Sequence, residues 1–411
     1  MNDVVRQFRD FFVSLKLTVV LLAFGMVLVF LSTLDQVSLG IWGIQEKWFR
    51  SFVVLHEVRG ATIPIFPGGY LVGGLLLINL ISAHLYRLKL EWRKAGIQLI
   101  HTGVIVLLVG ELITGILQED FQMTIVEGGS RSYSESFRDY ELAVIDVTDP
   151  KHEDVVAIPD TLFSRGGEIQ HAKLPFKVVP QFYFPNSAAQ PRAQVPNAPP
   201  VEANKGALAP RYVVTDQPID YRTNGRNVPS ALVKLVGPEG ELGTWLIRPE
   251  IPVLRASPGG GPPQLDTDSA APERFDYGGR TYELSLRLVR AYHPFSIRLL
   301  KVTHDNYVGT QDPKNFSSRI EIKTPGGKDD REVLIYMNNP LRYGGYTFFQ
   351  HQMEAARGLT GLQVVSNPGW LLPYIACIMM TAGLLLQFGL SLRAFIAKRR
   401  AKATATKPAV A

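Results

Sequence analysis

Residues 93–117 read RKAGIQLIHTGVIVLLVGELITGIL. After the basic pair Arg93-Lys94, sixteen residues pass without an Asp, Glu, Lys or Arg until Glu111. An α-helix rises about 1.5 Å per residue, so about 20 such residues cover a hydrocarbon core about 30 Å thick. Residues 96–117 therefore read as a membrane-spanning helix, and three other stretches have the same character: 15–34, 67–86 and 370–392. The first is too long for a removable signal peptide and has no small-residue cleavage site, so it is expected to stay in the mature protein. The expected fold class is a membrane protein: four transmembrane α-helices plus a large extracytoplasmic, antiparallel β-rich domain.

The 411-residue chain has a formal charge of +6, and the placement of that charge decides its meaning. Residues 1–16 hold Arg6, Arg9 and Lys16 against Asp3 and Asp10, while the loop after the second span holds Arg87, Lys89, Arg93 and Lys94 against Glu91. The tail adds Arg393, Lys398, Arg399, Arg400, Lys402 and Lys407 with no acid. These three segments carry ten net positive charges, so the rest of the chain is net −4. The excess sits beside spans rather than on a nucleic-acid face, which is the positive-inside pattern. It places the N-terminus (1–14), the 87–95 loop and the 393–411 tail in the cytoplasm. The 35–66 loop and the 118–369 domain then lie outside an inner membrane, with membrane lipid as one partner and no nucleic acid.

The external domain alternates apolar and polar residues with period two, the mark of half-buried strands. Tyr282, Leu284, Leu286 and Leu288 point one way and Glu283, Ser285 and Arg287 the other. Similar runs at 121–126, 140–147, 176–184, 231–236, 295–302, 319–322 and 332–337 predict an antiparallel sandwich or open barrel. The Pro-rich insertion 185–210 and the Pro-Gly-Gly-Gly-Pro-Pro of 258–263 read as exposed loops. Leu174-Pro175-Phe176-Lys177-Val178 and His293-Pro294-Phe295-Ser296-Ile297 each read as opening a strand, either as an echo of two related subdomains or as Pro at a permitted first position. The single cysteine, Cys377, lies in the last span, so no internal disulfide, Cys-Xaa-Xaa-Cys pair or heme-attachment motif exists in this chain.

Ionisable groups inside spans are costly and need a reason. His101 lies about 10 Å of helix rise past Lys94. It suits either a hydrogen bond to a neighbouring helix or, as a neutral imidazole, ligation of iron. His84, three residues before Arg87, reads as an interfacial polar residue and a weaker ligand candidate. Glu111 reads as a boundary carboxylate, a proton relay or a partner for another helix. Gly96, Gly103 and Gly110 form a smooth stripe that marks close helix packing, with Asn79 given the same role. His56, His152, His171, His293, His304 and His351 show no metal-ligand spacing, and no catalytic constellation stands out.

Two blocks of sequence resemble the ResB family of System II cytochrome c maturation. The first runs Arg93-Lys94-Ala95-Gly96, Leu99-Ile100-His101-Thr102-Gly103, Gly110, and on to Glu127-Gly128-Gly129. The second holds His293-Pro294-Phe295-Ser296-Ile297, Gly309-Thr310, Pro313 to Ser318, Asn338-Asn339-Pro340-Leu341, Gly345 to Gln350, and Asn367-Pro368-Gly369. Phe349 stands where the family often has Tyr, so a hydroxyl there is dispensable. The resemblance implies a non-catalytic or co-catalytic subunit of a holocytochrome c synthase. Its partner would be a separate CcsA/ResC-type membrane protein, its cargo heme b, and its client apocytochrome c. His101 occupies the position from which an axial heme ligand is expected. Two other classes are weighed beside this one. A membrane-anchored ligand-binding sensor lacks an output domain, and a transporter subunit would normally show an inverted repeat.

Overall fold

A computed structural model describes residues 3–58, 61–87, 91–222, 225, 227–249, 253–255, 264–266, 272–307, 309 and 313–405. The 258–263 loop, residues 88–90 of the basic loop and Thr310 lie outside the described residues. The chain divides into two compact units.

The first unit holds α1 (Asp3–Phe12), α2 (Leu15–Ile44), a π-helical turn Gln45–Phe49, the hairpin β1 (Val53–Val58) and β2 (Ala61–Pro67), α3 (Gly69–Arg87) and α4 (Ala95–Leu117). The final helix of the chain, Leu372–Ala405, also belongs to it. Four of these helices are long and apolar enough to cross a membrane. Several local features differ from the sequence reading. Residues 3–12 form a helix of their own. The helix that holds the expected 15–34 span continues to Ile44 through a break at Gly40, whose φ of +71° only glycine adopts easily. Among the described residues of the expected 35–66 external loop, the chain forms helix, turn and two paired strands, with Leu28, Ile44, Trp48 and Val54 sharing a small core.

The sheets of the second unit are antiparallel, and its one α-helix among the described residues is α5 (Asp160–Arg165), so the last long helix of the chain is α6 (Leu372–Ala405). Its strands are β3 (Glu119–Val126), β4 (Ser130–Asp146), β5 (Asp154–Pro159), β6 (Lys177–Phe184), β7 (Ser187–Pro191), β8 (Tyr212–Asp216), β9 (Ser230–Gly237) and β10 (Gly240–Ile247). There follow β11 (Val253–Arg255), β12 (Gln264–Asp266), β13 (Glu273–Tyr277), β14 (Arg280–Asn306), β15 (Pro313–Lys323), β16 (Arg331–Tyr336), β17 (Leu341–Tyr343), β18 (Tyr346–Glu354) and β19 (Leu359–Ser366). The main sheet runs β16-β15-β14-β4-β3-β19-β18-β17, with β13 on β14 and β5 on β4.

Both expected architectures are present, end to end along the two longest strands. The first halves of β14 and the second half of β4 form one layer of a sandwich whose other layer is β10-β9-β6. Leu142, Val144, Val178, Val233, Trp245, Leu284 and Leu286 fill the space between them. The rest of β14 belongs to a nearly closed barrel around Met123, Ile125, Ile297, Leu299, Ile320, Phe348, Leu362 and Val364. Curling of the sheet brings Ser318 of β15 within 2.7 Å of Gln350 and 2.8 Å of Thr360 on the far strands.

The reading of 185–210 as exposed loop holds for most of its residues but is corrected at a few. Ser187–Pro191 pairs with β8, and Ala203 and Ala209 are buried with Leu232 and Leu246 in a core of their own. Small side chains left no hydrophobic period to detect, yet their methyls fill the gap beside β9 and β10. The echo at Pro294 is also corrected: that motif opens no strand. It lies inside β14, where pairing with β4 jumps from Tyr292↔Tyr133 to Ile297↔Arg131, so four residues of β14 face a single residue of β4. A proline is tolerated there because a bulge asks no ladder hydrogen bond of it.

Candidate functional site

His84 sits in the last turn of α3 and His101 in the second turn of α4. Thr102, next to His101, places its Oγ1 3.4 Å from His84 Nε2 while donating to Gln98 O at 2.9 Å. His84 is half-buried between two helices, and its Nδ1 is buried without a partner. His101 is also half-buried. Each of two neighbouring helices thus offers a half-buried imidazole, a side chain whose neutral form can ligate iron.

The glycine stripe explains how α4 holds this position. A Cβ on Gly96 would fall 2.5 Å from Gln387 Cβ and 2.7 Å from Gly383 O of α6, and one on Gly103 would fall 3.1 Å from Ala376 O. Close packing was the sequence expectation for the stripe, and α4 indeed lies backbone-to-backbone on α6 there. Asn79 has a different task. Its amide donates to Phe12 O at 2.7 Å and Ser14 O at 3.2 Å, and its Oδ1 accepts from Thr18 Oγ1 at 2.6 Å. It satisfies the carbonyls freed where α1 breaks from α2. Glu111 is exposed on α4.

A second cluster lies in the β unit and was missed when the external histidines were read as scattered. His293, at the bulge of β14, is only 7% exposed. Its Nε2 and Ser134 Oγ of β4 share a 3.0 Å hydrogen bond, and its Nδ1 is buried without a partner. The ring stacks on Phe295 at 5.2 Å and meets the edge of Tyr346 at 4.6 Å. Burial pushes the His293 pKa below its ordinary 6.5, so the ring is neutral. Beside it opens a cleft of about 380 Å³ lined by Ser132, Pro294, Phe295, Ser296, Thr324 and Pro325. The overlooked signal was a proline inside an alternating run, which marks a bulge and hence a redirected side chain.

Tyr343 and Tyr346 are joined by Gly344-Gly345, both at positive φ (60° and 84°), the geometry of a tight two-residue hairpin. Gly344 packs against the Phe295 ring, since a Cβ there would lie 2.5 Å from Phe295 Cε1. Next to this hairpin, Asn338 takes φ +61° in the turn that joins β16 to β17. β16 pairs with β15 along one edge and carries exposed Leu334 and Tyr336, with exposed Met337 following. Among the described residues, no group of three His, Cys, Asp or Glu could hold a metal ion.

The chain combines a unit of long apolar helices carrying a few buried polar side chains with a large antiparallel β unit that holds a bulged, histidine-bearing strand. The model of the ResB-like family matches residues 278–357, so the segment from β14 through β18 is ResB-like. The chain is also similar to Protein NrfI of Wolinella succinogenes, 34% identical over 92 residues. That similarity covers 22% of this chain and about a tenth of the length of NrfI.

Proposed function

We propose that this chain is a membrane-embedded subunit of a cytochrome c maturation system. The observation that carries the reading is the ResB-like match on β14–β18, strands that contribute much of the barrel and most of the His293 cleft. In this reading the four apolar helices insert in the cytoplasmic membrane, with both ends of the chain and the 87–95 loop inside and the β unit outside. A CcsA/ResC-type partner and this chain together carry heme b outward as cargo. His101 supplies one axial imidazole to the heme, and His84, with its unpaired ring nitrogen, stands one helix away. The β unit holds unfolded apocytochrome c so that its thiols meet the heme vinyl groups. An extended client can add to a strand edge such as that of β16 through main-chain hydrogen bonds, with no deep pocket required.

The test is a heme spectrum of the chain purified with its partner. His101→Ala is expected to insert normally, because removing a polar group from a span does not hinder insertion, and to lose the bound heme. Added imidazole should fill the vacated position and restore part of the heme and of the maturation activity. His84→Ala should lower heme content less. An unchanged heme content and spectrum in His101→Ala would remove the ligand assignment.

A further inference from the structure

We propose that residues 3–12 form an in-plane membrane anchor whose apolar face lies among the acyl chains just below the headgroups. The inference rests on the membrane reading above and goes beyond it, because charge alone made this segment a plain cytoplasmic terminus.

α1 is amphipathic along its ten residues. At 100° per residue, Val4, Val5, Phe8, Phe11 and Phe12 fall on one arc, and Asp3, Arg6, Arg9 and Asp10 fall on the other side. A water-soluble helix would bury that arc against its own chain. Here no residue of α1 is buried, and Val4, Phe8 and Phe11 are 69%, 66% and 58% exposed. Two aromatic rings and a valine facing water on a ten-residue helix require a cover.

The way α1 is attached says what the cover is. The helix ends at Phe12, and after a two-residue break Ser14 caps α2 by accepting from Lys16 N at 3.2 Å. Asn79 holds the break through Phe12 O and Ser14 O, and Arg87 Nη1 donates to Val13 O at 3.2 Å. The Arg9 guanidinium sits 6.0 Å above the Tyr86 ring. Two of these clamps, Tyr86 and Arg87, are the last residues of α3, where its apolar run gives way to charge. Phe12 and Ser14 meet Asn79, eight residues or about 12 Å of helix rise inward from Arg87, while Arg9 and Val13 meet Tyr86 and Arg87, so α1 and the start of α2 lie along the last turns of α3. Leu15 and Val19 at the start of α2 are exposed as well. In the membrane reading those turns lie just inside the boundary between headgroups and acyl chains. A short helix with a strong apolar face and charged flanks is stable there at a depth of about 5–10 Å.

The experiment uses the full chain, with Cys377→Ala, in lipid nanodiscs. Single cysteines at Val4, Phe8, Gln7, Asp10 and Met26 carry spin labels, and collision rates with oxygen and with a water-soluble nickel chelate are compared. Labels at Val4 and Phe8 should favour oxygen several-fold over labels at Gln7 and Asp10, approaching the value at Met26 in the middle of α2. A nickel-accessible label at both Val4 and Phe8, with Met26 still shielded, would overturn the anchor and leave the membrane reading standing. Dipolar broadening at Phe8 with low collision rates for both reagents would overturn it in favour of a second copy covering the face. A nickel-accessible Met26 would sink the membrane reading and the anchor together.

Discussion

Gly344 shows how one missing methyl can hold a site together. Its φ of +60° suits glycine, and its Cα lies against the Phe295 ring that stacks on His293. Gly344→Ala should therefore both strain the backbone and displace Phe295, lowering stability by about 1–3 kcal/mol in denaturant titration of the whole chain. Gly345→Ala has the same strain but open space around its Cβ, so its effect should be smaller. His293 makes a pH prediction of definite sign. Its pKa is lowered by burial in the folded chain, so on acidification the unfolded chain takes up this proton first. Stability from this residue is undiminished above the unfolded value of about 6.5 and falls as pH drops through it, levelling off only below the folded value. His293→Gln, which keeps a partner for Ser134 but cannot titrate, should flatten thermal stability between pH 7 and pH 5 relative to the parent. Neither role was visible locally: Ser134 and His293 are 159 positions apart, and only the pairing of β4 with β14 brings them together.

At the level of elements, the α4–α6 contact depends on glycine where backbones touch and not where they do not. Gly96→Ala would press a methyl on the Gln387 and Gly383 backbone, whereas Gly115 has nothing within 4 Å of its Cβ. Detergent melts should show Gly96→Ala clearly destabilised and Gly115→Ala near the parent. Gly103→Ala should fall between them, because its nearest neighbour is the flexible Met380 side chain. The turn Glu127-Gly128-Gly129 is a comparable device in the β unit. Gly128 N donates to Leu299 O at 2.8 Å, Leu299 N to Gly129 O at 3.0 Å, and Val302 N to Glu127 Oε1 at 2.6 Å. The hairpin of β3 and β4 is thereby tied to β14 just where the pairing of β14 with β15 shifts register. The alternating runs at 282–288 and 295–302 were both legible in the sequence. That they are one 27-residue strand was not, since Pro294 looks like an end until the bulge opposite Tyr133 and Arg131 is seen. For the client, crosslinkers placed along 313–350 should capture unfolded apocytochrome in preference to the heme-loaded product. Equal capture of both would remove the edge-binding role.

For the whole molecule, the ten net positive charges of the three flanking segments set the orientation expected of four inserted helices. A reporter fused after Ala411 should behave as cytoplasmic, and external activity would reverse the assignment. What the sequence determined by itself is what depends on solvent transfer and on residues near one another in the chain. The apolar runs long enough to span, the charge bias beside them, the period-two strands and the glycine stripe of α4 are all of this kind. Each such signal is written in ten to twenty consecutive residues, because burial in lipid or on one sheet face acts on the local pattern. Only the tertiary structure decided the rest: the sandwich and barrel sharing β14, the buried alanines of the Pro-rich insertion, and the Asn79 clamp on the α1–α2 break. It also placed the Thr102–His84 contact and the neutral His293 beside its cleft. These follow from which strands pair, in what register, and which helices touch, and such long-range choices leave no periodic trace in any one segment.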